Sequence, residues 1–235
     1  MTRTLITGSN KGLGYETARQ LVAAGHVVYV GARDPERGRQ AALRLGARFV
    51  RLDVTDNASV AAAAKLIASD GGLDVLVNNA GIEGRTADNK VIGPAEETAQ
   101  HMQSLFDTNV FGIVRTLQAF LPLLQRSVAP VVVNVSSGLS RTAGLADPDG
   151  PVHFYPGVAY PASKTALDMI TVQYAKAFPN MKINAVDPGY TATDLNGGTG
   201  TQTVEQGAAV IVTMARIGPD GPTGGYFDAN GPVPW

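Results

Sequence analysis

The sequence predicts an α/β fold in which a doubly wound parallel sheet of about seven strands is covered by helices on both faces. Short apolar runs alternate with longer segments of helical spacing along the 235 residues. Several runs, such as 131–135, are apolar at almost every position, which is typical of strands buried on both faces. The length suits one domain and no repeat or linker divides it, so we expect a single domain over 1–235.

The predicted elements alternate in order along the chain. Strands are expected at the apolar runs 5–7, 27–30, 49–52, 75–77, 131–135, 182–186 and 225–228. Helices are expected at the segments of helical spacing 12–24, 35–45, 56–68, 98–128, 160–178 and 203–215. Gly25 ends the first helix, Pro35 suits the first turn of the second, and Pro122 predicts a kink in the long fourth helix.

Two segments interrupt this alternation. Residues 138–158 and 194–202 are rich in Gly, Pro, Asp and Thr, and we expect both to be loops. Long loops in a compact domain usually bind a ligand or cover one.

Composition excludes several classes of protein. The net charge of −1 predicts no long-range attraction to nucleic acid or to an anionic membrane surface. The absence of cysteine excludes disulfides, thiolate catalysis and Cys-ligated zinc, and it suits a cytoplasmic protein. The N-terminus is not typical of a signal peptide, and we expect no membrane-spanning segment. The three histidines have no ligand spacing, so we predict no metal site.

A glycine loop follows the first predicted strand. Gly8, Gly12 and Gly14 have the spacing Gly-x3-Gly-x-Gly and precede the first predicted helix. Glycines at such a junction permit a tight turn and a close approach of the backbone to pyrophosphate, and the helix N-terminus attracts the phosphates. An ordinary glycine turn is the alternative interpretation, whereas a Walker loop is excluded because no Gly-Lys-Ser/Thr follows.

Two cations predict which dinucleotide binds. Sites for NAD usually carry Asp or Glu at the end of the second strand, and here Ala32 and Arg33 occupy that place. Arginine can hold a ribose 2′-phosphate by paired charged hydrogen bonds, whereas a carboxylate would repel it. Lys11 adds a second cation beside the expected phosphate path. The sequence therefore predicts NADPH.

A tyrosine and a lysine form a candidate acid–base pair. Tyr160 and Lys164 are four residues apart in a predicted helix, so they share one face. A nearby ammonium group favours the phenolate, so we expect Lys164 to lower the tyrosine pKa from its usual value of about 10. The pair could then donate a proton to a carbonyl or accept one from an alcohol. Tyr155 lacks such a lysine, since Ala159 stands four residues on, and we expect it to line a pocket or pack.

These features together resemble the short-chain dehydrogenase/reductase family, which has a Rossmann fold. The resemblance covers the whole chain, and further segments match the family's motifs: Asp53-Val54, Asn78-Asn79-Ala80-Gly81, Asn109, Asn134-Val135-Ser136-Ser137, and Pro188-Gly189 with Thr193. The segments Asn10-Lys11, Ala32-Arg33-Asp34 and Gly221-Pro222-x-Gly224 through Trp235 are similar to those of NADPH-dependent carbonyl reductases.

The resemblance implies a catalytic set and a cofactor site. The implied catalytic residues are Asn109, Ser137, Tyr160 and Lys164, with Tyr160 as proton donor to the carbonyl of a small or medium ketone or aldehyde. Asn109 is expected to help order a water chain that returns a proton to Lys164, and Ser136 is expected to be structural. The implied NADPH-binding residues are Gly8, Asn10, Lys11, Gly12, Leu13, Gly14, Arg33, Asp53, Val54, Asn79, Ala80, Gly81, Tyr160, Lys164, Pro188, Gly189, Thr191 and Thr193.

Alternatives remain open at this level. An NADP-linked dehydrogenase of an alcohol, steroid or sugar would use the same residues, and so would a non-catalytic NADPH-sensing protein. Ser137 and Tyr160 are 23 positions apart, a longer spacing than in many members of the family, and the extra residues fall in 138–158. The resemblance implies that the loops 138–158 and 194–202 lie on the substrate side, so the shape of the substrate stays undecided. The choice between monomer and homo-oligomer is left open as well. Trp235 is expected either to cover the substrate cleft or to pack at the terminus.

Overall fold

One eight-stranded sheet organises the molecule, which we describe over residues 1–235 from a computed structural model. Its strands are β1 (Arg3–Thr7), β2 (Val27–Ala32), β3 (Arg48–Arg51), β4 (Val75–Asn78), β5 (Val131–Val135), β6 (Lys182–Val186), β7 (Tyr226–Asp228) and β8 (Gly231–Val233). They lie in the order β3-β2-β1-β4-β5-β6-β7-β8, and all neighbours are parallel except β7 and β8. The predicted doubly wound sheet is confirmed. The eighth strand was not predicted, because it is a three-residue return after a tight turn and carries Pro232.

Eight helices connect the strands. They are α1 (Gly12–Ala23), α2 (Pro35–Leu45), α3 (Asn57–Ser69), α4 (Ala99–Phe106), α5 (Gly112–Leu124), α6 (Thr142–Ala146), α7 (Ala159–Ala177) and α8 (Val204–Ala215). Capping explains several boundaries. Asp34 accepts hydrogen bonds from the backbone N–H groups of Glu36 and Arg37 at the start of α2, and Gly46 ends that helix in the left-handed conformation.

The long helix predicted over 98–128 is divided. A π turn, Asp107–Phe111, joins α4 to α5, and Pro122, where a kink was expected, lies inside the last turn of α5. The two predicted loops also contain short helices. In 138–158 the structure has a 3₁₀ turn, Gly138–Ser140, followed by α6, and in 194–202 it has a 3₁₀ turn, Asp194–Asn196.

Alternation along each strand builds two cores. Leu5 packs with apolar side chains of α3, α5 and α7, whereas the next residue, Ile6, packs with those of α1 and α8. Successive side chains of a strand point to opposite faces, so an almost wholly apolar strand requires helices on both sides.

The strand order fixes where a ligand can bind. The chain runs outward from β1 through β2 to β3, then crosses back to β4 on the other side of β1. Such a switch opens a crevice at the carboxyl ends of the strands, which is where open α/β sheets bind ligands. No helix is both long enough and apolar enough to cross a membrane.

Candidate active site

A cleft of about 1480 Å³ lies at the carboxyl ends of β1 to β6. Its walls come from the segments that follow these six strands, together with part of the 138–158 segment. Every residue predicted for the cofactor site lines this cleft, and so do Ser137, Tyr160 and Lys164. Asn109 does not line it and is fully buried. The fold therefore gathers residues from six strands at one place, as parallel topology requires.

The glycine loop is tight at three positions. Gly8 and Gly12 have φ values of +64° and +57°, in the left-handed region that favours glycine. A Cβ atom at Gly14 would lie 2.5 Å from Asn79 Nδ2 and 2.9 Å from the Gly8 carbonyl oxygen, so only glycine fits there. The first turn of α1 then presents its backbone N–H groups toward the cleft without a side-chain cap at Lys11.

The segment after β4 is tied to the end of β1. Thr7 Oγ1 accepts hydrogen bonds from the backbone N–H groups of Asn79 at 3.0 Å and Ala80 at 2.9 Å. The Asn79 side chain donates to the carbonyl oxygen of Thr7 at 2.9 Å. These bonds hold two predicted cofactor segments together from neighbouring strands.

The predicted phosphate-binding cations differ in their partners. Arg33 is exposed at the rim of the cleft and makes no ion pair. Lys11 Nζ contacts Asp194 Oδ2 at 2.7 Å, and both side chains are largely exposed. Because an exposed pair contributes little energy, Lys11 can exchange Asp194 for a phosphate. This pairing links the glycine loop to the 194–202 segment, and no sequence pattern indicates it.

Asp53 is held by its own turn. Its Oδ1 accepts hydrogen bonds from the backbone N–H of Thr55 at 3.0 Å and from the Thr55 hydroxyl at 2.7 Å. Burial acts to raise the pKa of Asp53, but the bonds from Thr55 and the nearby Arg33 and Arg51 lower it overall. The carboxylate is thus kept ionised and oriented at the end of β3.

The segment after β6 folds onto the glycine loop. The methyl group of Thr193 lies 3.8 Å from the place where a Cβ atom of Gly12 would stand. The Thr191 hydroxyl, predicted to bind cofactor, donates within its own loop to the carbonyl oxygens of Pro188 and Gly189 at 3.2 Å each. Thr191 is buried and its bonds shape the loop, whereas Thr193 lies beside Gly12 at the start of α1.

Lys164 is buried beneath the predicted proton donor. Its Nζ donates a hydrogen bond to the backbone oxygen of Val135 at 2.8 Å and lies 5.5 Å from the centroid of the Tyr160 ring. Burial lowers the pKa of Lys164 to about 8, although the nearby Asp168 acts to raise it. The lysine can therefore change its charge close to neutral pH.

The expected lowering of the tyrosine pKa is not found. Burial and the carboxylate of Glu83 raise the pKa of Tyr160 well above its usual value, and hydrogen bonding to Ser137 opposes them only in part. The prediction that Lys164 lowers this pKa was wrong, because the ammonium bonds to a strand carbonyl and burial of the phenol dominates. Tyr160 consequently stays protonated, which suits a proton donor.

The two adjacent serines face different surroundings. Ser137 lines the cleft, and its Oγ accepts a hydrogen bond of 3.3 Å from the backbone N–H of Leu139. Ser136 Oγ instead donates to the buried Asp168 Oδ1 at 2.6 Å. This bond to a buried carboxylate favours the structural role predicted for Ser136. Burial raises the pKa of Asp168 to about 6, with the Ser136 bond opposing that shift.

Asn109 lies in the π turn and braces the site from behind. Its Oδ1 accepts from the backbone N–H of Ile82 at 2.9 Å, while its Nδ2 donates to Ile82 O at 2.8 Å and to Ser163 Oγ at 3.0 Å. Both amide donors are therefore used by protein groups. A π turn within an α-helix often marks a functional position. Here it turns Asn109 toward the residue next to Lys164.

Further cleft residues were missed in the sequence. Glu83 and Arg85, which follow the Asn78–Gly81 motif within four residues, form an ion pair in the wall of the cleft. Tyr155, which was expected to line a pocket or pack, lines the same cleft and donates to Glu83 at 2.8 Å. Two charged residues so close to a predicted cofactor motif were the sequence feature that could have indicated Glu83 and Arg85. Trp235 stacks on Tyr226 with ring centroids 5.4 Å apart and lies outside the cleft lining, so the packed terminus is the correct alternative.

The chain matches known proteins along most of its length. A family model described as short chain dehydrogenase matches residues 2–204. The (+)-neomenthol dehydrogenase of Capsicum annuum is 32% identical over 298 aligned positions, which cover 95% of this chain and 94% of the relative. The alignment is longer than the 235 residues of this chain, so the relative carries segments that this chain lacks.

Two solved structures share the fold closely. The NADPH-bound carbonyl reductase from chicken fatty liver superposes with a TM-score of 0.86 and 26% identity, covering 100% of this chain and 99% of that one. The salutaridine reductase of Papaver somniferum superposes with a TM-score of 0.84 and 28% identity, covering 96% and 99% of the two chains.

Proposed function

Because the chain belongs to the short-chain dehydrogenase/reductase family, we propose that it is an NADPH-dependent reductase of small or medium ketones and aldehydes. One observation carries this proposal: Tyr160, Lys164 and Ser137 line the same cleft as the glycine loop and Arg33. A cofactor seated on the glycine loop would extend along the strand ends toward Tyr160.

The residues present fit NADPH. The φ values of Gly8 and Gly12 and the lack of space at Gly14 create a cradle that any Cβ atom would fill. Arg33 is an unpaired cation at the end of β2, where a 2′-phosphate would lie, and no carboxylate replaces it there. The chicken carbonyl reductase, whose structure is described as NADPH-bound, supports the same choice.

The chemistry follows from the side chains around the substrate carbonyl. When bound, NADPH supplies the hydride. The Ser137 hydroxyl donates a hydrogen bond to the carbonyl oxygen, and Tyr160 donates its proton to the same oxygen as negative charge develops there. Lys164, when charged, adds a positive charge beneath the phenol and returns a proton to it. Asn109 holds the backbone of Ile82 in place behind this pair.

Arg33 favours reduction over oxidation, because it indicates NADPH rather than NADH, and NADPH is the usual cellular donor for reductions. Tyr160 is protonated at neutral pH in either case, since the usual tyrosine pKa of about 10 lies above neutral and burial raises it further. The relatives include both a (+)-neomenthol dehydrogenase and a (−)-isopiperitenone reductase, so names alone do not decide the direction. The cofactor argument is what favours the reductive assignment. The cytoplasmic location stays a prediction, and the oligomeric state, monomer or homo-oligomer, stays undecided.

The proposal is tested by steady-state oxidation of NADPH with a panel of ketones, aldehydes and quinones, run in parallel with NADH. Turnover with NADPH and at least about tenfold less with NADH supports it, since one charged hydrogen bond is worth about that factor or more. Tight binding of NADPH without turnover on any carbonyl would favour the sensing alternative. Equal use of both cofactors would remove the role given to Arg33.

A further inference from the structure

We propose that Arg85 binds a second oxygen of the substrate, so that the protein prefers ketones that carry a neutral hydroxyl, ether or carbonyl oxygen remote from the reacting carbonyl. This inference rests on the proposed function, since it names the substrate class of the same site. It depends on three cleft residues that the catalytic chemistry does not use: Glu83, Arg85 and Tyr155.

The three residues lie on the substrate side. Glu83 and Arg85 follow the segment 78–81 that is proposed to contact the cofactor, and Tyr155 precedes α7, which carries Tyr160. All three line the cleft. Tyr155 packs against the cluster of buried side chains that contains Tyr160, and its hydroxyl bonds to Glu83. The group therefore adjoins the place where a substrate would meet Tyr160.

Glu83 fixes the guanidinium in one orientation. Arg85 Nε donates to Glu83 Oε2 at 2.8 Å, and Nη2 donates to Oε1 at 3.0 Å, which is the paired geometry that holds a guanidinium plane. Tyr155 OH donates to the same Oε1 at 2.8 Å. The carboxylate is 6% exposed, so few of its acceptor positions remain for a ligand.

Arg85 keeps unused donors. A guanidinium has five N–H groups, and three of them are used: Nε and one on Nη2 by Glu83, and one on Nη1 by the carbonyl oxygen of Asn89 at 3.0 Å. The two remaining N–H groups belong to a side chain that is 18% exposed in the cleft wall. When a substrate displaces water, these donors need an acceptor, because leaving them unpaired would cost binding energy.

The surroundings favour a neutral acceptor. Glu83 already neutralises the charge of Arg85, so a carboxylate on the substrate would bring an uncompensated negative charge beside Glu83. The neighbouring cleft surface includes the apolar side chains of Val91, Leu139 and Val152. A polar corner in an apolar wall orients a ligand through one oxygen while the rest of it packs.

A purely structural role is the competing explanation. Arg85 also braces the turn at Asn89, whose φ of +63° is in the left-handed region. If bracing were its only purpose, replacing Arg85 would lower stability and the activity on all ketones together. If Arg85 recognises the substrate, replacing it changes the ratio of the activities on two matched ketones. A general loss of folded protein leaves that ratio unchanged.

The test compares two ketones of nearly equal size, hydroxycyclohexanone and methylcyclohexanone, each substituted on the ring carbon opposite the carbonyl. Their kcat/KM values are measured with NADPH for the wild type, Glu83→Gln/Arg85→Met, Arg85→Lys and Tyr155→Phe. The double variant removes the guanidinium without leaving an unpaired buried carboxylate. Tyr155→Phe is the matched control, because it alters the same cluster and leaves the guanidinium in place. Thermal melting and NADPH titration accompany each variant.

We expect the wild type to prefer the hydroxyl ketone by roughly 10- to 100-fold, the worth of one charged hydrogen bond. The ratio should fall close to one in the double variant, fall partly in Arg85→Lys, and stay near the wild-type ratio in Tyr155→Phe. Reduction of both ketones by the wild type without this preference would overturn the inference and leave the proposed function standing. Reduction of neither ketone, with turnover of other carbonyls of the panel, would overturn the inference alone, whereas no turnover of any carbonyl would overturn both.

Discussion

The Lys164 ammonium lies 5.5 Å from the centroid of the Tyr160 ring, one helical turn further along α7, and bonds to the strand carbonyl of Val135 rather than to the phenol. This arrangement separates the properties of the two groups. The pKa of Tyr160 is raised by burial, whereas the pKa of Lys164 is lowered by burial to about 8. The pair is thus set to donate a proton from tyrosine and to titrate at lysine.

Tyr160→Phe should remove the proton donor and leave the cofactor site intact. We expect turnover of a ketone to fall by roughly 10²- to 10⁴-fold, the usual contribution of general acid catalysis, with little change in NADPH affinity. Tyr174→Phe, on the same helix and outside the cleft lining, is the matched control and should keep wild-type turnover. Single-turnover rates and fluorescence titration with NADPH measure the two effects. Near-normal turnover by Tyr160→Phe would contradict the assignment.

The pH dependence of reduction should report Lys164. Its pKa is lowered from 10.5 to about 8, so the ammonium loses its charge as the pH rises through about 8. Tyr160 stays protonated over that range because its pKa is raised. We therefore expect kcat/KM for reduction to be level near neutral pH and to fall about tenfold per pH unit well above the pKa of Lys164.

Asp168→Asn provides the check on that profile. The Asp168 carboxylate acts to raise the pKa of Lys164, so its removal should move the fall in kcat/KM to lower pH. Asp149→Asn, an exposed aspartate outside the cleft lining, should leave the profile unchanged. A wild-type profile that stays level up to about pH 10 would contradict the role given to Lys164.

Arg33→Ala should separate the two nicotinamide cofactors. Loss of a charged hydrogen bond to the 2′-phosphate should weaken NADPH binding by about 1.5–3 kcal/mol and leave NADH binding unchanged. Lys11→Ala should weaken NADPH less, because binding must first break the pair with Asp194. Arg37→Ala is the control, since Arg37 lies outside the cleft and pairs with Asp34. Equal weakening of NADPH and NADH by Arg33→Ala would refute the phosphate-binding role.

Gly81→Ala should impair the return of a proton through Lys164 to Tyr160 without straining the fold. A Cβ atom at Gly81 would lie 3.4 Å from Asn109 Oδ1 and 3.6 Å from Lys164 Nζ, which are ordinary contact distances. The methyl group would occupy the space between these two side chains, so we expect turnover to fall roughly 10- to 100-fold with an unchanged melting temperature.

Gly218→Ala is the matched control for that variant. Nothing lies within 4 Å of a Cβ atom at Gly218, so neither turnover nor melting temperature should change. If Gly81→Ala keeps wild-type turnover, the space beside Lys164 and Asn109 has no part in the reaction.

The sequence was sufficient for the architecture because the sheet depends on local patterns. Runs such as Val131–Val135 are apolar at most positions and can only be strands buried on both faces, which requires helices on either side. The strand Gly231–Val233 has no such pattern. It forms because a turn after Asp228 brings three residues back along β7, and that pairing is a tertiary effect.

The sequence was sufficient to predict which residues line the cleft, but not their pKa values or their ion pairs. Glycines and short motifs marked which residues meet at the strand ends, since parallel topology gathers them there. The raised pKa of Tyr160 could not be predicted, because it depends on burial and on Glu83, which comes from a distant segment. The pair between Lys11 and Asp194 spans 183 positions and has no sequence signal either.

The central claim is hydride transfer from NADPH to a carbonyl carbon in this cleft. The most direct measurement is a single turnover of methylcyclohexanone with NADPH in which both hydrogens of the hydride-donating carbon are deuterium, followed by mass spectrometry of the alcohol. The account predicts one deuterium on the carbinol carbon for each NADPH consumed. An alcohol without deuterium, or no alcohol from any carbonyl of the panel despite bound NADPH, would contradict it.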